Sequence, residues 1–333
     1  MCRGRIRIST IAVLVSAASA IGYTQQSAPS APQPPMPRAQ YDQMMKELSN
    51  WGRWGKDDQR GALNLITPAK RQQALALAKS GAHISLGHDA LTPPFQLKMI
   101  IVPDNSVPMP RVSDRVEMDF HGGAYTHLDA LCHIPYDSHT FNGYVLKDTV
   151  TTTGGCTKNS VMNMKDGIVT RAILLDIPRL RGVRYLEPGT RVTRADIEAW
   201  EKQAKVRIGS GDAVLLRTGK WARPAGAPGG AGWDLRALPL FKERDIAVVG
   251  SDYAQEVVNN IEPTTVASEQ RLNLAPVHKI LGNAMGLALV DNLDLEEAAE
   301  TAARLNRWEF MLVVAPLRVP NGTGSPVNPI GFF

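Results

Sequence analysis

Short aliphatic runs, each closed by a polar or glycine turn, recur through the second half of the chain. Gly167 to Asp176, Ala213 to Arg217, Ile246 to Gly250, Leu287 to Val290 and Glu309 to Val314 are nearly continuous apolar segments. Such runs suit strands covered on both faces. His83 to Leu86 has the alternation of a short strand with one covered face. Between these runs the polar pattern changes to a helical period. Thr67 followed by Pro68 opens a helix whose apolar face is Ala74, Leu75, Leu77 and Ala78, with Gly81 as its stop. Thr193 with Asp196 three residues on forms a capping box for a helix to about Lys205. Ala275-Pro276 opens a short helix carrying His278, and Leu295 to Arg304 is a further helix. Strands mixed irregularly with helices predict an α/β single domain with a mixed, barrel-like sheet flanked by helices. No dinucleotide fingerprint, P-loop or nucleophile elbow follows any of the strands, and no internal repeat is evident.

The N-terminal pattern is of another kind. Arg3, Arg5 and Arg7 precede the apolar run Ile11 to Ala20, and Ala18-Ser19-Ala20 fits a small-residue cleavage site. The run falls well short of the ~20 residues a spanning helix needs. Residues 1–22 are therefore expected to be a signal peptide, 23–40 a Pro/Ser/Gln-rich linker, and 41–333 the folded domain, with secreted or periplasmic localisation and no membrane span after processing. Cleavage would leave Cys132 and Cys156, which could pair in an oxidising space; because a chain this size needs no staple and Cys132 lies in the histidine-rich stretch, it reads rather as a buried thiol beside the site. With 44% hydrophobic and 21% charged residues and a net charge of +5, the chain has ordinary globular composition. Its basic residues are scattered rather than set in an aromatic-interleaved stripe, which speaks against nucleic acid as a partner.

Chemistry concentrates between Asp119 and His139, where four of the seven histidines fall. In extended backbone, residues two apart share a face. His127 and Asp129 then project together, with Tyr125, Gly123 and His121 on the same line. An imidazole and a carboxylate side by side suit a divalent metal, zinc or manganese. His121 can add a nitrogen if Gly122-Gly123 bends the backbone back. Further ligands have to come from afar, and His278 and Asp291 are the candidates. His133, four residues past Asp129, has the ordinary pKa of a proton shuttle, ~6.5. His83, His88 and His139 read as structural, Asp119 and Asp137 as turn or solvated residues. Trp51, Trp54, Tyr125, Trp221 and Trp233 are either core or the lining of an aromatic-friendly pocket. The glycine-rich stretch Ala222 to Gly232 reads as a surface loop able to act as a lid.

Thr126-His127-Leu128-Asp129-Ala130-Leu131-Cys132-His133 resembles the second half of the H-x-G-T-H-x-D-A-P-x-H motif of the cyclase family of metal-dependent hydrolases, which includes kynurenine formamidases and isatin hydrolases. Ordered blocks from Trp51 to the C-terminus are similar as well, among them Trp51 to Pro68, Tyr185 to Gly189, Gly211 to Gly219, Gly250-Ser-Asp252 and Gly322 to Pro326. The resemblance implies the swivelling fold of kynurenine formamidases. It implies metal ligands at His127, Asp129, His278 and Asp291, and acid/base catalysis by His133. Asp291 stands where the family has glutamate. The family's first metal histidine falls on Gly123, so His121, six residues before His127, either substitutes or leaves that ligand missing; one or two zinc or manganese ions are then expected. The implied activity is hydrolysis of a C–N amide, lactone or ester bond in a small, cyclic or aromatic substrate by a homodimer. The alternatives are a cyclase running condensation and a catalytically silent metal- or ligand-binding homologue.

Overall fold

The computed structural model describes residues 34–90, 95–102, 111–224, 229–266, 270 and 274–333. The expected signal peptide, most of the linker and the middle of the 222–232 loop lie outside them. Nine strands share one mixed sheet: β1 (His83–Ser85), β2 (His127–Asp129), β3 (Ile168–Asp176), β4 (Ala213–Arg217), β5 (Val248–Ser251), β6 (Ala288–Asp291), β7 (Glu309–Val314), β8 (Gly324–Pro326) and β9 (Ile330–Phe332). Their order is β1-β9-β7-β3-β4-β5-β6-β2-β8, and the sheet curls into a half-barrel. The central four, β3 to β6, are parallel, and β2 and β7 flank them antiparallel. The parallel strands are the continuous aliphatic runs, since both their faces are covered. Leu174, Leu175, Val214 to Leu216, Val248 and Val249 are all fully buried.

The caps behave as their chemistry dictates. In α2 (Pro68–Leu75) the Lys70 amide donates to Thr67 Oγ1 at 3.1 Å. In α3 (Arg194–Ala204) Thr193 and Asp196 close the reciprocal capping box, and Lys205 ends the helix in the left-handed region. The Trp200 indole of α3 donates to Leu174 O at 2.8 Å, fixing the helix across β3. The helix expected from Leu295 to Arg304 spans Glu296–Leu305 (α4).

Several expectations need correction. The folded body begins before Tyr41: Met36 is fully buried and its amide donates to Asn260 O at 2.8 Å, and a helix (α1) spans Arg38–Glu47. The helix after Thr67 stops at Leu75 rather than near Gly81, and Leu75 is 57% exposed; of the proposed apolar face only Ala74 packs inward. Cys132 is not a free thiol but is disulfide-bonded to Cys156. The extended line from His121 to Asp129 shortens to His127–Asp129, because 121–125 bends away at Gly122, which has φ 109°. A hairpin of Gln96–Val102 against Arg111–Glu117 was not anticipated. Among the described residues it makes no ladder with the main sheet, and Leu97, Met99, Ile101, Val112 and Val116 on one of its faces are exposed.

Candidate metal centre

The site sits where β2 runs between β6 and β8. Register places His127 opposite Asp291 and Pro326, and Asp129 opposite Leu289 and Gly324. Two carboxylates from neighbouring strands therefore meet in the interior, with Asp129 and Asp291 each only 3% exposed. Gly324 has to be glycine, because a Cβ there would lie 2.5 Å from Leu128 O and 2.9 Å from His121 Cε1. Its bareness lets the His121 ring lie over the sheet edge.

Each imidazole is oriented by a partner at its far nitrogen. His127 Nδ1 lies 2.8 Å from Tyr125 O, which makes it the donor and leaves Nε2 as a lone pair 3.5 Å from Asp129 Oδ1. His278 Nδ1 lies 2.9 Å from Glu256 Oε1, and its Nε2 is 3.0 Å from Asp291 Oδ2 and 3.9 Å from Asp129 Oδ2. His121 Nε2 meets Thr323 Oγ1 at 3.0 Å, while its Nδ1 faces Asp129 Oδ1 at 3.0 Å. The short helix bearing His278 (Pro276–His278) is held by the Tyr41 hydroxyl of α1, which donates to Pro276 O at 3.0 Å.

All six residues singled out from the sequence thus share one site. One ligand atom from each of His121, Asp129 and His133 lies within 4.8 Å of the others, and the same holds for His127, Asp129 and Asp291. The donor set fits a divalent cation on two grounds. It is nitrogen and carboxylate oxygen from converging elements. Moreover, His121 Nδ1 and Asp129 Oδ1 are buried and face each other at 3.0 Å as an ion-pair contact, without a well-aligned hydrogen bond to any described residue. Buried polar atoms left without such a bond ask for a partner.

The electrostatics are those of interlocked charges. Burial pushes the Asp129 carboxyl up, but His121 first, then His133, His127 and His278, outweigh it and bring it down to about 2. Burial brings the His133 imidazole down to about 4, with Asp129 opposing, so it is neutral at pH 7. His278 goes the other way: burial opposes its charge, but Asp291 and Glu256 prevail and hold its pKa well above the ordinary value. Lys220 at the rim is pushed down to about 8 by burial.

Sequence reasoning missed the supporting residues. Glu256 accepts from the His278 and Val277 amides at 2.9 and 3.2 Å besides meeting the His278 ring. Gln255 Nε2 donates to Asp291 Oδ1 at 3.0 Å. Asn292, directly after Asp291, and Lys220 hold the loop before His127. Asn292 belongs to the Val-Asp-Asn-Leu stretch that carries Asp291, whereas Glu256, Gln255 and Lys220 are brought here by the fold. Of the aromatic candidates, Trp233 is core and fully buried, Tyr125 is buried, Trp51 is 41% exposed, and Trp221 stacks on His88 at 3.4 Å. His88 also pairs with Asp294, and His139 Nδ1 meets Asp137 O at 2.6 Å, both structural contacts.

Comparison with known proteins completes the description. The Cyclase family model matches residues 56–255, which includes His121 to His133 and stops short of His278 and Asp291. A crystal structure described as a novel cyclase is 30% identical over 87% of this chain and 99% of its own, with a TM-score of 0.74. Isatin hydrolase A from Labrenzia aggregata, bound to benzyl benzoate, is 22% identical over 78% of this chain and 97% of its own, with a TM-score of 0.52. An isatin hydrolase bound to the product analogue thioisatinate is 18% identical over 80% and 98%, with a TM-score of 0.51. No curated protein sequence matches the chain.

Proposed function

The chain belongs to the cyclase family, and from that premise we propose that it is a metal-dependent hydrolase of a C–N amide bond, or of a lactone or ester, in a small cyclic or aromatic substrate. The observation that carries this reading is the convergence of His127, Asp129, His278 and Asp291 from three separate stretches of chain into one buried cluster of imidazole nitrogens and carboxylate oxygens. His127, Asp129, His278 and Asp291 would hold the ion, with His121 as the further nitrogen. Zinc or manganese suits that donor set. A divalent cation bound there supplies Lewis acidity to a carbonyl and lowers the pKa of water towards ~7.

His133 is the proton carrier in this scheme. Its ring lies parallel to that of His121, 3.6 Å away with an interplanar angle of 5°. Lone pairs of an imidazole lie in the ring plane, so two parallel rings cannot aim at one point, and both cannot ligate one ion well. Burial lowers the His133 pKa to about 4, below the ~6.5 expected of a proton shuttle, so it is neutral at pH 7 but a weaker base than a free imidazole. In this scheme a ring nitrogen takes a proton from the attacking water and, once charged, is a strong acid towards the leaving nitrogen or oxygen. Glu256 and Tyr125 O keep the two ligand imidazoles in the tautomer that presents Nε2.

The isatin hydrolases share only the fold with this chain, so the bond class rests on the chemistry of the site. Metal analysis of the purified protein, with a panel of amides, lactones and esters assayed by product mass, tests it. Gain of water by the substrate is expected, and loss of water would mean condensation instead. Undiminished turnover in metal-stripped Asp129→Ala protein refutes the mechanism. Export is proposed on the N-terminal pattern, and the Cys132–Cys156 pair supports an oxidising compartment; an intact Met1 in the protein recovered from its native host contradicts it. A homodimer is the proposed assembly, supported by the apolar face of the hairpin that is exposed among the described residues, and light scattering at the mass of one chain would exclude it.

A further inference from the structure

We propose that Lys220 is a positioning residue, clamping the Gly122-Gly123 loop so that His121 stands in the metal-ligand shell that position 123 leaves without an imidazole. The inference rests on the metal-dependent reading above and goes beyond it by assigning a device that builds the site. Residues 121–124 take part in no backbone–backbone hydrogen bond among the described residues. Two adjacent glycines add the freest backbone available, Gly122 being at φ 109°. A ligand borne on such a loop has to be ordered by something else.

Lys220 and Asn292 do this together. Lys220 Nζ donates to Gly123 O at 3.0 Å and to Asn292 Oδ1 at 2.9 Å. Asn292 Nδ2 in turn donates to Gly122 O at 2.6 Å and Tyr125 O at 3.1 Å. Three carbonyls of the loop are thereby tied to the residue that follows Asp291. The root of Lys220 is rigid as well. The buried Asp252 carboxylate accepts from the Thr218, Gly219 and Lys220 amides at 2.9, 2.7 and 3.1 Å, and from Thr218 Oγ1 at 2.7 Å. The ammonium lies 4.1 Å from the Trp221 ring centre and 5.6 Å from that of Tyr253, contacts that further restrain the head. Among the described residues no carboxylate forms an ion pair with Lys220, so its donors are directed to the loop rather than to a counter-charge.

The test compares wild type with Lys220→Met, Lys220→Arg, His121→Ala and the Lys220→Met/His121→Ala double variant. Zinc affinity is read by chelator competition, the cobalt(II) absorption spectrum reports the ligand set, and the thermal midpoint of metal-stripped protein reports folding. Lys220→Met is expected to weaken zinc binding ~10–100-fold, the usual range for an outer-shell partner, and to shift the cobalt spectrum as His121→Ala does. Lys220→Arg keeps two donors and retains most of the affinity. The double variant is no weaker than His121→Ala alone, because both changes remove the same ligand. Unchanged zinc affinity and cobalt spectrum in His121→Ala overturn the proposal even if Lys220→Met does not fold, and so do losses that multiply in the double variant. If wild type itself takes up neither zinc nor cobalt, the metal-dependent reading fails; if wild type binds and the variants match it, only the clamp fails.

Discussion

Glu256→Gln isolates how much the ligand His278 depends on its support. Glu256 Oε1 accepts from the His278 amide and meets Nδ1 of its ring, both at 2.9 Å, while Oε2 accepts from the Val277 amide at 3.2 Å. Glutamine with its oxygen at the Oε1 position keeps the first two contacts but turns an NH2 towards the Val277 amide. One donor then loses its acceptor, at a cost of about 1–3 kcal/mol. The ring also loses the carboxylate that makes Nε2 a stronger ligand. Outer-shell replacements of this type lower metal affinity ~10–100-fold, or about 1.4–2.7 kcal/mol. In metal-free protein the same carboxylate helps keep His278 protonated, and that proton has to leave before Nε2 can bind an ion. Proton release on binding, measured by calorimetry in buffers of different ionisation enthalpy, should therefore fall in the variant while Kd rises. An affinity within twofold of wild type, with proton release unchanged, would refute the assignment of Glu256 as the orienting group.

Metal-stripped protein should lose stability as pH falls from about 6.5 to 4. His133 has its folded pKa depressed to about 4, so the unfolded chain binds the extra proton in that window and stability drops with falling pH, by at most about 1.4 kcal/mol per pH unit; His133→Asn should flatten this slope in urea titrations. Reduction of Cys132–Cys156, which closes a separation of 24 residues, should cost about 3–4 kcal/mol by loop entropy, and a urea midpoint indifferent to reductant would contradict the pairing. Gly324→Ala should destabilise by about 1–3 kcal/mol through overpacking and weaken metal binding by displacing His121. Gly123→Ala, where a Cβ meets nothing within 4 Å, should stay within about 0.5 kcal/mol of wild type.

Most of the central sheet was legible because the parallel strands carry their burial in their composition. Ala213–Arg217 and Glu309–Val314 span the residues expected of them, and the Thr193 helix announces itself by a local hydrogen-bonding pattern. Where the outcome depended on distant partners, local pattern failed. Leu75 and Leu77 suggested a longer α2, yet Leu75 is exposed, since neither helical period nor propensity reports which face meets the sheet. Glycine and proline weaken a strand, so Gly324–Pro326 carries no strand pattern; it nevertheless pairs with β2, at the sheet edge where proline is tolerated. The exposed hairpin escaped notice for a similar reason: no core selects its pattern.

The candidate site divides along the same line. His127 and Asp129 could be read from a two-residue spacing, because a strand makes sequence neighbours into spatial neighbours. His278 and Asp291 were suggested by scarcity and resemblance, and it is the register of β6 against β2 that sets Asp291 opposite His127. Glu256, Gln255 and Lys220 had no such signal, being ordinary polar residues whose importance is created by what they face. This asymmetry has a physical root. Two carboxylates buried side by side repel each other and are costly to desolvate, so every surrounding group has to offer positive charge, a donor hydrogen or a cation. In this chain the imidazoles answer Asp129, and Gln255 with His278 answers Asp291. Asp129 Oδ1 faces two imidazoles without a well-aligned hydrogen bond, the geometry an ion between them would satisfy. A centre of this kind is specified by its shortage of partners, which no stretch of sequence displays.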